Sequence, residues 1–173
     1  MDLRYFKNDL DNELLKQLYK EDINEKVTLD LINRGANVNA VDEDDKSLLY
    51  NFIVSINDVD EKSIKILQLL LDSGADIHYV NTSGYNCLFP SAVPRRIKIF
   101  KFLLKRGINP NCICTERMFG SQFDDIERDE FITRSFSKLP KDEWKVQKNM
   151  IRLIKKYDGK RKEDLYMEII KKY

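Results

Sequence analysis

An all-α solenoid of about three to four helix-turn-helix units, with a helix capping each end, is the fold class this sequence predicts. The first observation behind it is a phrase that recurs after three apolar runs: Gly35-Ala36-Asn37-Val38-Asn39, Gly74-Ala75-Asp76-Ile77-His78 and Gly107-Ile108-Asn109-Pro110-Asn111. The second is the apolar spacing ahead of each glycine. Eight residues before it stand Val27, Ile66 and Ile99; four before, Leu31, Leu70 and Leu103; three before, Ile32, Leu71 and Leu104. This spacing keeps one face of a helix apolar. The third is unit size: each copy is too small to enclose a core, so neighbours must stack and bury one another.

In chain order, Asp9 to Tyr19 with Leu10, Leu14, Leu15 and Leu18 reads as the first helix of an N-terminal capping unit. The helix that follows stops at Gly35, because glycine adopts the left-handed backbone of a helix C-terminus without steric cost. Asn33-Arg34, and later Lys105-Arg106, set a cation beside the negative end of the helix dipole. The next unit opens with the turn Asp42-Glu43-Asp44-Asp45 and runs through Leu48 to Ile56. A polar connection, Asn57-Asp58-Val59-Asp60-Glu61-Lys62, then leads to the helix ending at Gly74. The third opens with Asn81-Thr82-Ser83-Gly84, runs through Cys87 to Val93 and ends at Gly107.

Beyond lies the least repeat-like stretch, Met118-Phe119-Gly120-Ser121-Gln122-Phe123 followed by Asp124-Asp125-Ile126-Glu127-Arg128-Asp129-Glu130. Helical periodicity returns from Lys141 to Tyr157 through Trp144, Gln147, Met150, Ile151 and Ile154, marked at its start by Pro140. That helix is expected to pack on the third unit, with Gly159 the next candidate stop. Arg161 to Tyr173 alternates Leu165, Ile169 and Ile170 with Lys162, Glu163, Lys171 and Lys172, the pattern of an amphipathic C-terminal cap.

Helix pairs punctuated by Gly-Ala-Asn-Val-Asn and Gly-Ala-Asp-Ile-His resemble the ankyrin repeat, whose usual period is 33 residues with a Thr-Pro-Leu-His helix start. Gly74 and Gly107 are 33 residues apart, Gly35 and Gly74 are 39 apart, and Gly107 and Gly159 are 52 apart. The helix start survives only as Ser47-Leu48-Leu49-Tyr50 and Asn86-Cys87-Leu88-Phe89, without the family's histidine. The resemblance spans residues 10–120. It divides the chain into an N-terminal capping repeat at 1–40, a repeat with a loop insertion at 41–79 and a repeat at 80–112. A degenerate repeat with a long insert at 113–160 and a C-terminal capping helix at 161–173 complete the single domain. A composition rich in Lys, Ile and Asn is similar to that of AT-rich genomes; it fits a bacterial or phage source, the reading taken here, and also some poxviral and parasite proteins.

The 173 residues hold 30 Lys and Arg against 29 Asp and Glu, a formal charge of +1. No overall field draws such a chain to nucleic acid or anionic lipid. No apolar stretch approaches the ~18 residues of a membrane span, and Met1-Asp2-Leu3-Arg4-Tyr5-Phe6-Lys7 is too polar to open a secretory signal. A soluble, cytoplasmic protein is expected. Cys87, Cys112 and Cys114 are an odd set in no disulfide framework and are expected to be free thiols; one residue between Cys112 and Cys114 does not suit a zinc or redox pair. No metal or cofactor is expected.

His78 is the sole histidine and ends its phrase where the other units carry Asn39 and Asn111, so it is read as a turn residue that hydrogen-bonds backbone and not as a catalyst. The carboxylates of Asp124, Asp125, Glu127, Asp129 and Glu130 lack a phosphate loop, a histidine or a second cluster to complete a catalytic site. Arg95-Arg96, Lys98, Lys101 and Lys105-Arg106 are expected to face solvent while Ile97, Ile99, Phe100, Phe102 and Leu103 face the core. Lys155-Lys156-Tyr157-Asp158-Gly159-Lys160-Arg161-Lys162 is a denser basic cluster at a helix junction.

The resemblance implies a concave groove lined by the turn tips and the first helices of each pair. Carried over to this chain, the tips offer Glu43, Asp44 and Lys46, then Thr82, Ser83 and Tyr85, then Thr115, Glu116 and Met118, changing from acidic to mixed. Tyr85, Met118 and Phe119 are the candidate anchors, the alternative for Tyr85 and Phe119 being that they fill gaps between units. The expected function is a non-catalytic module that captures a partner protein through these tips and the insert at 116–138. It would be monomeric when free and act by occupying its target, as an inhibitor, immunity protein or antitoxin acts on a toxin or effector. The rival readings are a nucleic-acid binder using the basic helix residues, and an enzyme fragment whose carboxylates lie in 116–138.

Overall fold

Seven helices follow one another among the described residues: α1 (Asp9–Leu18), α2 (Glu25–Asn33), α3 (Leu48–Ser55), α4 (Glu61–Asp72), α5 (Leu88–Ser91), α6 (Ile97–Lys105) and α7 (Lys141–Lys156). The computed structural model describes residues 6–56, 59–92, 96–112, 141–161, 164–165, 167–168 and 171, with 141–144 and 147 as backbone only. Among the described residues no strand forms beyond an isolated antiparallel bridge from Val41 to Ser47.

Asn8, Asn24, Ser47 and Asp60 start α1 to α4 by accepting first-turn backbone N–H groups that have no helical partner. The stack is then assembled by apolar faces. α1 packs on α2 and on α3, α3 on α5, α5 on α6, and α6 on α7. Leu14, Leu15, Leu18, Leu48, Leu49, Phe52 and Ile53 are buried along the first helices, and Ile66, Leu70, Ile99 and Leu103 along the second. Each such side chain contributes about 1.5–3 kcal/mol relative to exposure. α7 adds Met150 and Ile154 to the same core, so it does pack on the third unit.

Three helix ends repeat one geometry. Gly35, Gly74 and Gly107 take φ of +102°, +92° and +82°, and their N–H groups donate to the carbonyls of Ile32, Leu71 and Leu104. The residues after them, Ala36, Ala75 and Ile108, donate to Leu31, Leu70 and Leu103. At the end of α7 the same pair of bonds runs from Asp158 to Lys155 (3.1 Å) and from Gly159 to Ile154 (2.8 Å). Asp158 (φ +62°) is therefore the left-handed residue, and Gly159 occupies the place of Ala36, Ala75 and Ile108. This corrects the expected stop at Gly159 by one residue. That glycine is needed for room: a Cβ there would run into the Cγ1 of Ile154 and lie 2.9 Å from its carbonyl oxygen.

Within each phrase, Asn37, Asp76 and Asn109 accept the backbone N–H of Asn39, His78 and Asn111 at 2.9, 2.8 and 2.9 Å. The fourth residue after the helix stop then reaches the next unit. Asn39 donates through Nδ2 to Gly74 O (2.9 Å) and accepts Asp76 N–H (2.6 Å). Asn111 donates to Asp158 O (2.9 Å) and accepts Lys160 N–H (2.8 Å). This pairing independently puts Asp158 in the glycine position. His78, expected to share the role, is exposed, and among the described residues it hydrogen-bonds through its backbone N–H alone.

Three other expectations are revised. Val27 is 42% exposed, and fully buried Thr28, its hydroxyl donating to Asn24 O, takes the inward place on α2. α5 occupies only four residues of the apolar segment 87–93 and contains Pro90, which has no N–H to extend a helical ladder. Arg96 is buried, not solvent-facing: its guanidinium donates to Ile56 O (2.9 Å), Val54 O (2.6 Å) and Pro90 O (2.7 Å). It thereby satisfies carbonyls at the end of α3 and in α5 with one charged fork.

Candidate functional site

Two consecutive tips are built on one plan. In the first, Asp42 N–H donates to Lys46 O (3.0 Å), and its Oδ1 accepts the N–H of Asp44 (3.0 Å) and of Lys46 (2.8 Å). Its other oxygen accepts Asn51 Nδ2 at 2.7 Å, so the carboxylate is wholly used in shaping the turn. In the second, Asn81 N–H donates to Tyr85 O (2.9 Å) and Oδ1 accepts Tyr85 N–H (2.7 Å). The left-handed position is Asp45 (φ +60°) in the first and Gly84 (φ +85°) in the second.

That substitution of aspartate for glycine joins the tips. Asp45 accepts Thr82 N–H at 2.6 Å and the hydroxyl of Tyr79. The Thr82 backbone bond, followed by the Tyr79 hydroxyl, holds the Asp45 carboxyl below the usual carboxylate range. Burial, then the bond to Asp45, pushes the Tyr79 phenol up to about 12. The sequence places Asp45 in a turn but assigns neither Asp45 nor Tyr79 a part in the site. The available signal was an Asp at the place of Gly84, 39 residues earlier.

Of the sequence-predicted partner residues, Glu43 and Asp44 are exposed at the first tip. Asp44 pairs with Lys46 at 2.9 Å, and this bond raises the Lys46 ammonium above its ordinary value. Thr82 is exposed beside Asp45, while Ser83 and Tyr85 are half-buried. The Tyr85 ring stands edge-on to Phe89, centroids 4.8 Å apart at 83°, inside its own unit. Thr115, Glu116, Met118 and Phe119, with the whole insert at 116–138, lie outside the described residues. Val41 and Val80, at equivalent positions of the two tips and 38% and 44% exposed, are apolar contacts the sequence reading did not select.

Cys87 is fully buried and burial pushes its thiol up to about 12; burial likewise raises Cys112, with Asn86 Nδ2 at 3.1 Å from its sulfur. Such thiols are not thiolate nucleophiles near neutral pH. Among the described residues no three His, Cys, Asp or Glu side chains converge as metal ligands, and no helix is long and apolar enough to cross a membrane.

No family model matches the chain. A search of curated proteins finds a relative 30% identical over 138 residues, covering 78% of this chain and 71% of its own length. It is named as an ankyrin repeat protein of Acanthamoeba polyphaga mimivirus. The all-helical stack, with its left-handed helix stops and its row of tips, accords with that likeness, and the chain belongs to the ankyrin repeat family.

Proposed function

We propose that this protein is a non-catalytic module that captures a partner protein across its tips, with Glu43, Asp44, Lys46, Thr82, Ser83 and Tyr85 as the contact set. Thr115, Glu116, Met118 and Phe119, which lie outside the described residues, complete the proposed set. The carrying observation is the Asp45 link, which joins two tips into one edge before any partner arrives. A preformed edge loses less conformational freedom on binding. Exposed Glu43 and Asp44 set orientation and approach rate, and Val41 and Val80 supply apolar contact.

A module of this kind acts by occupying its target, so inhibition of a toxin or effector is the sharper form of the reading. The nucleic-acid reading loses Arg96 to the interior. Copurification from the native host tests the proposal: a protein retained in about one-to-one ratio by the wild type and lost from the Glu43→Lys/Asp44→Lys variant supports it. Recovery of no stable protein partner, or equal retention by the variant, contradicts it.

A further inference from the structure

Between the outward shoulders of α6 and α7 runs a furrow of about 440 Å³. Lys98 and Lys101 line one side, three residues apart on α6; Arg152 and Lys156 line the other, four apart on α7. Those spacings put each pair on one helix face. Ile97 and Leu153, both half-buried, form the apolar part of the wall. All four cations are exposed, and none makes a hydrogen bond or ion pair among the described residues. Some cations elsewhere do find carboxylates, Lys46 with Asp44, Lys62 with Asp22, Lys160 with Asp158 and Glu168, and Arg34 with Asp30; the furrow instead gathers four that find none among the described residues. Arg106, also near the end of α6, is held by Gln68 and lies over the Phe102 ring.

We propose that this furrow is a second docking site, separate from the tips, for an acidic amphipathic helix of a partner protein. Four unmatched cations at helical spacing call for carboxylates at helical spacing, and the Ile97 and Leu153 wall calls for an apolar side chain between them. A phosphate backbone would answer the charges and leave the apolar wall uncovered. The volume holds a few side chains, which suits one face of a helix laid along the furrow. This site does not depend on the tip reading, since it lies on the second helices and α7.

The test uses the full chain and a fluorescein-labelled helical peptide with Glu and Leu repeating at three and four residues, read by anisotropy. The expected result is saturable binding that weakens about ten-fold or more in Lys101→Glu/Arg152→Glu. The milder Lys101→Gln/Arg152→Gln should give an intermediate loss, and Lys7→Gln/Lys26→Gln, which removes the same charge from exposed positions outside the furrow, should leave it unchanged. A peptide with Leu replaced by Ser should bind more weakly than the parent. Equal affinity of wild type and furrow variants, no binding of the parent peptide, or binding of a DNA oligonucleotide in its place would overturn the proposal. Circular dichroism of each variant separates lost binding from lost fold.

Discussion

The first and last joints of the stack are built alike, and the middle joint is built from different chemistry. At the first, Asn39 satisfies a carbonyl and an N–H of the next unit; at the last, Asn111 does the same for Asp158 and Lys160. A neutral side-chain amide is donor and acceptor at once, which suits it to this place. In the middle, His78 leaves the place unused, and charged groups take over: Asp45 links the tips and Arg96 ties the end of α3 to α5 at the opposite side. One degenerate residue is thus offset by two ions elsewhere in the joint. The same exchange locks the edge proposed to meet a partner.

The contrast is broken most severely at Arg96. Arg96→Ala leaves three carbonyls of the middle joint without their donor and should cost about 3 kcal/mol or more, read as a lower urea midpoint. Arg96→Lys should recover little, since an ammonium lacks the planar fork. Asn39→Ala and Asn111→Ala should each cost about 1–2 kcal/mol, and nearly equally, because each removes the same two bonds.

His78→Asn sharpens the comparison in the other direction. By installing the amide clamp it should stabilise the protein by about 0.5–1.5 kcal/mol and raise Tm. The smallest effect is in pH. Asp45 is depressed in the folded protein, so its contribution is present above the unfolded carboxylate pKa and lost as pH falls through the lower folded value. The difference in stability between wild type and Asp45→Asn should therefore shrink in acid, below the normal aspartate range, whereas that between wild type and Asn39→Ala should not follow this titration.

The regular parts were legible because they are local. The phrases after Gly35, Gly74 and Gly107 and the leucines four residues before them identified helices, stops and stacking order without any long-range information. Asp158 was missed because an aspartate in left-handed backbone carries no glycine signal, while Gly159 beside it does. Arg96 reads as a surface cation until Ile56 and Val54, 40 and 42 residues earlier, join nearby Pro90 in bringing their carbonyls to it. The ankyrin resemblance set Glu43, Asp44 and Lys46 at a turn tip, where Glu43 and Asp44 are exposed, but the Asp45 to Thr82 link depends on unit spacing and so on tertiary structure. The furrow lies in the same class: Lys98 and Lys101 meet Arg152 and Lys156 through the packing of α6 on α7.

The likeness of the first and last joints requires that the fourth unit close at Asp158, and paired substitutions read by urea unfolding test that requirement. Asp158→Gly should be neutral or stabilising by up to about 1 kcal/mol, since glycine adopts positive φ freely. Gly159→Ala should cost about 1–3 kcal/mol through its clash with β-branched Ile154, and Ile154→Leu in the same chain should return part of it, because leucine stands at that place in the other three units. The opposite order, with Asp158→Gly the more damaging and Gly159→Ala tolerated, would contradict a fourth unit stacked in this register.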